Sequence, residues 1–135
     1  MPTWISRFLF LALAWSFISA VIAFEEHDNH LAVVHIINSL TNNSEPVSVF
    51  CISRGRKDFL GEYTLKVGED FQWDVTLNTL NYGRALWGRV FASWHAFQPR
   101  RDVSHGTVYW QIRQDGFFLS WDNSSWVKRE MWETE

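Results

Sequence analysis

The feature that most constrains this chain is a period of two. Phe71, Trp73, Val75 and Leu77 alternate with Asp70, Gln72, Asp74 and Thr76. Val108, Trp110 and Ile112 alternate with Thr107, Tyr109, Gln111 and Arg113, and Tyr63, Leu65 and Val67 with Thr64 and Lys66. Successive strand side chains point to opposite faces, so each run predicts a strand with one face in a core and one in water. Ala32–Ile37 and Val47–Ile52 are apolar on both faces and predict central strands covered on both sides. Leu86–Trp94 reads as one long mixed strand with Gly88 as a bulge. No stretch after the leader described below carries a helical stripe.

Turn chemistry separates the runs. Gly68-Glu69 suits a type II′ hairpin between the Tyr63 and Phe71 strands, and Gln114-Asp115-Gly116 a short hairpin before Phe117–Trp121. Ser53–Asp58 and Asn78–Gly83 read as longer polar loops, and Pro99 cannot sit inside a ladder. Short turns between successive strands favour antiparallel pairing. The pattern predicts an all-β domain, a small antiparallel β-sandwich of about eight short strands. The loops near 38–46, 53–58, 78–83 and 98–106 would close its ends, where binding commonly resides.

The first 23 residues have a different character. Met1–Arg7 is basic, Phe8–Ala23 is a run of apolar and small residues, and Glu25-Glu26 follows at once. This is the pattern of a secretory signal peptide cleaved after Ala23, with Ala20 as the alternative site. The apolar run is shorter than the about 20 residues needed to cross a bilayer. The expectation is therefore a signal peptide over 1–23 and one extracellular domain over 24–135, with no stable membrane insertion after cleavage.

With 12 basic and 15 acidic residues the chain has a net charge of −3, so it lacks the basic footprint of a nucleic-acid binder. Cys51 is the one cysteine, and no intramolecular disulfide can form. Lying inside Val47–Ile52, it reads as a buried free thiol; the other reading is an intermolecular bridge. Trp73, Trp87, Trp94, Trp110, Trp121, Trp126 and Trp132 follow the leader, and most are expected in the core, which must hold without a staple.

Candidate sites are few. Asn42-Asn43-Ser44 and Asn123-Ser124-Ser125 are N-glycosylation acceptors, marking Asn42 and Asn123. His27, His30, His35, His95 and His105 lack ligand spacing, so no metal is expected. His35, within a strand, is expected to be a satisfied structural residue. The carboxylates are scattered, no nucleophile motif appears and no cofactor is expected. Asp102 beside Arg100-Arg101 reads as a solvated loop pair. Arg54-Gly55-Arg56-Lys57 is the one basic cluster, and Arg54, Arg56 and Lys57, with Tyr82 and Arg84 from a neighbouring loop, are the candidates for receptor contact. Arg100 and Arg101 would extend the patch if the loops meet at one end.

The order of motifs adds a resemblance. Ile36-Ile37-Asn38 is followed by Val49-Phe50-Cys51, Asp58-Phe59-Leu60-Gly61, Leu65, Gly68-Glu69 and Phe71-x-Trp73. Leu86, Phe91, Arg101-Asp102 and Trp110-Gln111-Ile112-Arg113-x-Asp115-Gly116 complete the series. From about Ala32 to about Trp132 this resembles the plant self-incompatibility protein S1 family, the S-protein homologues. The resemblance implies a secreted β-sandwich that acts as a protein ligand, as founding members do on pollen of matching type through a membrane receptor. It implies no catalytic residues. Typical members carry cysteines in the strand where Arg89 stands and near His105 and Val108, so the usual disulfides cannot form here.

Two function classes follow. The first is a secreted ligand for a cell-surface receptor, with an anionic wall polysaccharide as a further possible contact. The second is a carbohydrate-binding module that stacks sugars on Trp87, Trp121 or Trp126. A small secreted enzyme ranks third.

Overall fold

The computed structural model describes residues 31–54 and 58–134, in which two five-stranded sheets face each other. The strands are β1 (Leu31–Asn38), β2 (Val47–Ser53), β3 (Asp58–Leu65), β4 (Asp70–Thr76), β5 (Asn81–Trp87), β6 (Val90–Phe97), β7 (Thr107–Arg113), β8 (Gly116–Ser120), β9 (Val127–Glu130) and β10 (Glu133–Thr134). One short helix, α1 (Pro99–Asp102), joins β6 to β7. The first sheet runs β4-β1-β7-β8-β9 and the second β10-β6-β5-β2-β3. The pairings are antiparallel except β1 with β7, which align in parallel from Val33↔Thr107 to Asn38↔Ile112. The expected all-β sandwich is present, with two strands more than the pattern suggested.

The core is where the period of two directs it. Ala32, Val34 and Ile36 of β1 and Val108, Trp110 and Ile112 of β7 face Val47, Val49 and Cys51 of β2 and Ala92, Trp94 and Ala96 of β6, all buried. Phe117 and Leu119 extend this layer. Trp94 needs one concession from its neighbour. A Cβ at Gly83, its partner in register on β5, would lie 2.7 Å from Trp94 Cζ2. Glycine there lets the indole lie against the strand, with Phe117 at 4.5 Å and Trp110 edge-on at 6.0 Å. Trp73, Trp87, Trp121 and Trp132 pack against the core, so most of the tryptophans serve it as expected.

Several expectations need correction. Gly68-Glu69 does not close a hairpin, because β3 pairs with β2 in one sheet and β4 with β1 in the other. The turn is a corner between sheets. It is pinned by Asn38, whose N–H donates to Glu69 O while Gly68 N–H donates to Asn38 O. Tyr63 and Phe71 stack across that edge at 3.8 Å, and Phe71 meets Trp73 at 5.5 Å. Leu86–Trp94 is two strands, not one. Gly88, at φ 58°, and Arg89 form the turn between β5 and β6, a backbone state that glycine adopts without strain. Asn81 already belongs to β5, which shortens the 78–83 loop. The outer faces of β1 and β2 are half-buried rather than covered by a further layer. Pro99 opens α1, its missing N–H harmless at a first helical position.

A candidate recognition surface at one end of the sandwich

Register places the loops. Ser53 pairs with Asn81 and Asn81 with Phe97, so the segments after β2, before β5 and after β6 share one end of the sandwich. Arg54 N–H donates to Leu80 O and ties two of them. The 39–46 segment lies at the opposite end, after Asn38.

Asp102 organises the first end. Far from being a solvated loop residue, it is 0% exposed. Arg101 grips it in a two-pronged ion pair, Nε to Oδ1 at 2.8 Å and Nη2 to Oδ2 at 2.7 Å. Trp121 Nε1 donates to Oδ1 at 3.0 Å, and Gln98 N–H to Oδ2 at 2.8 Å. Paired guanidinium and carboxylate groups of this geometry are strong. A carboxylate has about four acceptor sites, and here four donors fill them. Asp102 is therefore a holding group with no lone pair left for proton transfer. Arg101 also donates to His95 O at 2.8 Å and lies over the Trp110 ring at 5.2 Å. His105 lies flat on Trp121, ring centres 4.1 Å apart. The linker between the two sheets is thus held by charge, indole and backbone together.

Beyond this anchor lie several exposed polar side chains, four of them arginines. Arg54, Arg84, His95, Arg100 and Arg129 are exposed. Tyr82 and Arg84, expected on a loop, are on β5, where they alternate with the buried Asn81, Gly83 and Ala85 and so face outward. Tyr82 sits between Ile52 and His95 in register and meets the His95 ring edge-on at 5.3 Å. Arg56 and Lys57 lie outside the described residues, as do residues 1–23, expected to be a signal peptide, and His27 and His30. Arg101 is occupied by Asp102 and adds no free charge. Exposed carboxylates are present as well: Glu62 is in register with Phe50 and, across it, Arg84, and Asp122 follows Trp121 at this end, while Asp70 and Asp74 lie on β4.

The other sequence candidates fall as follows. Asn42 and Asn123 are exposed, at opposite ends, Asn123 with φ 58°. Cys51 is buried, and burial pushes its thiol up to about 12. His35 is satisfied, with Nδ1 2.9 Å from Asp70 Oδ2 and its ring stacked on Tyr109. Trp87 packs on Trp132, Trp121 is taken by Asp102 and His105, and Trp126 lies near the Arg113 guanidinium, so each ring already has a protein neighbour. Of the positions where typical S1 proteins have cysteine, Arg89 is in a turn rather than a strand, His105 is exposed and Val108 is buried in β7. Among the described residues no cluster of three metal-ligating side chains occurs. No helix among them is long and apolar enough to cross a membrane. Asp102 was missed by sequence reasoning, since its partner Trp121 is remote in the chain; Gln98-Pro99, a helix-opening pair, was the only local signal.

Fold and site together define a disulfide-free, two-sheet β-sandwich that presents loops from a buried polar anchor. The family model for plant self-incompatibility protein S1 matches residues 33–132, and the chain belongs to that family. No curated protein and no solved structure matches it at the level taken as significant.

Proposed function

We propose that this protein is a secreted ligand that engages a cell-surface receptor protein through its arginine-bearing end and the adjoining outer face of β5 and β6. Membership of the S1 family over residues 33–132 is the observation that carries this reading. Exposed arginines support the choice of face. A chain of net charge −3 keeps Arg54, Arg84 and Arg100 exposed, cations that can steer an acidic partner into register. Residues 1–23 act as the export signal, and Asn42 and Asn123 are the sites proposed to carry glycans.

The test is saturable binding of labelled, processed protein to pollen, reproductive and vegetative cells. Arg54→Glu with Arg84→Glu should weaken binding about tenfold or more while leaving the melting temperature unchanged, because both side chains are exposed. Binding that ignores the double reversal would remove this face from the reading.

A further inference from the structure

Asn123 stands in a turn that is held from within. Asp122 Oδ1 accepts from the Ser120 hydroxyl at 2.8 Å, from Ser124 N–H at 2.9 Å and from Ser125 N–H at 2.8 Å. The turn brings Asn123 to φ 58°, a left-handed state that asparagine tolerates better than most residues. Asn123, Ser124 and Ser125 are all exposed, so the acceptor motif meets solvent from a fixed root.

Beside this turn is a depression of about 330 Å³. Asp122 and Ser125, one on each side of the Asn123-Ser124 pair, belong to its wall. Trp121 and His105 form another part of it, and Leu119 and Val127 supply apolar side chains. The two rings are fixed by one residue, since Trp121 Nε1 donates to Asp102 Oδ1 and His105 N–H donates to Asp102 O. His105 nevertheless stays exposed, and Val127 is 53% exposed. Apolar and aromatic surface left open in this way is stabilised by whatever removes it from water. A pyranose ring suits it, because ring C–H groups match the electron-rich face of an aromatic side chain while the hydroxyls stay towards solvent. A sugar rooted on Asn123 starts between two residues of the wall, so it reaches the depression at high effective concentration.

We propose that the first N-acetylglucosamine of an N-linked glycan on Asn123 packs into this depression, over His105 and Val127, as a structural part of the domain. Leu119 and Val127 are partners in register, so the sugar also braces the edge strand β9 against β8. Transfer to Asn123 replaces one hydrogen on Nδ2. The nitrogen bonds C1 of the sugar, the bond from C1 to a polyprenyl diphosphate carrier breaks, and the displaced proton leaves with the diphosphate. The inference rests on the secreted reading above and gives one of its two glycans a task.

The test compares one polypeptide, Asn42→Gln, in two forms. The first is secreted from eukaryotic cells with high-mannose glycans and trimmed by an endoglycosidase to a single N-acetylglucosamine. The second is residues 24–135 made in bacteria, without sugar. Mass spectrometry should find the sugar on Asn123. The sugar-bearing form should melt about 4 °C higher, the order of shift that one added contact gives a domain of this size. In that form His105 should react several-fold more slowly with diethyl pyrocarbonate, while His95, exposed on β6, reacts equally in both. Val127→Ser changes a largely exposed position, so it should fold in both forms and lose most of the difference in melting temperature. A bare Asn123, a His105 as reactive with the sugar as without it, or a difference that survives Val127→Ser overturns the inference. Cell binding separates this from the function reading. Saturable binding by a protein whose Asn123 is bare or whose sugar does not shield His105 defeats the packing alone; a shielded His105 without cell binding defeats the ligand reading alone.

Discussion

Asn38 and Asp102 do the same job at opposite ends of the sandwich by different means. Both are 0% exposed, and both fasten a connection between the two sheets. Asn38 uses a neutral amide, donating from Nδ2 to Leu65 O at 2.9 Å and accepting from Leu40 N–H on Oδ1 at 3.1 Å. An amide offers donors and acceptors at once, so it can satisfy backbone of either kind without a counter-charge. Asp102 can only accept, and its charge obliges Arg101 to be buried beside it. The end built on a neutral group is a closed corner. The end built on an ion pair presents the cations proposed to meet a partner.

The largest test of that contrast is Asp102→Ala. It leaves Arg101 largely buried without its carboxylate and Trp121 Nε1 without an acceptor, and should cost about 3–5 kcal/mol, a fall in Tm of well over 10 °C in thermal denaturation. The loss should persist in about 1 M salt, since a buried pair is screened little. Asn38→Ala comes next. It orphans Leu65 O and Leu40 N–H and should cost about 2 kcal/mol by urea denaturation. If the two variants lose the same stability, the ends do not differ energetically and the contrast fails.

The smallest effect belongs to Asp122, on the loop that follows Trp121. Its carboxylate accepts from Ser125 N–H, the Ser120 hydroxyl and Ser124 N–H, and these bonds hold it at about 2, below its usual 3.8. The folded value is depressed, so the loop is fully braced above about pH 4 and loses its brace as pH falls towards 2. The Ser124 and Ser125 amide resonances should titrate together near pH 2. A midpoint at the ordinary carboxylate value would show that Asp122 does not brace the loop.

How much of this was legible depended on distance along the chain. The alternation of Val108, Trp110 and Ile112 is a local signal, and β7 occupies the predicted residues with those side chains inward. Cys51 was readable as a buried thiol because its own neighbours are apolar. The Gly68-Glu69 turn was not readable as a corner. Its residues suit a hairpin equally well, and the choice is made by Asn38 on another strand. Asp102 was misjudged because its neighbours Arg100 and Arg101 are charged, whereas its burial depends on Trp121 and the β6 backbone. Tyr82 and Arg84 were assigned to a loop because Asn81 and Gly83 resemble turn residues; Gly83 is instead the space that Trp94 fills.

The parallel pairing of β1 with β7 has a kinetic consequence. Val33 waits for Thr107, and Asn38 for Ile112, so the middle of the first sheet cannot form until most of the chain has been synthesised. Until then β1 has only β4 beside it, and one apolar edge stands open. Contacts this distant in sequence slow folding and leave strand edges exposed while they are awaited. With no disulfide to hold the early hairpins together, the nascent chain depends on the arrival of its last third to become a single cooperative unit.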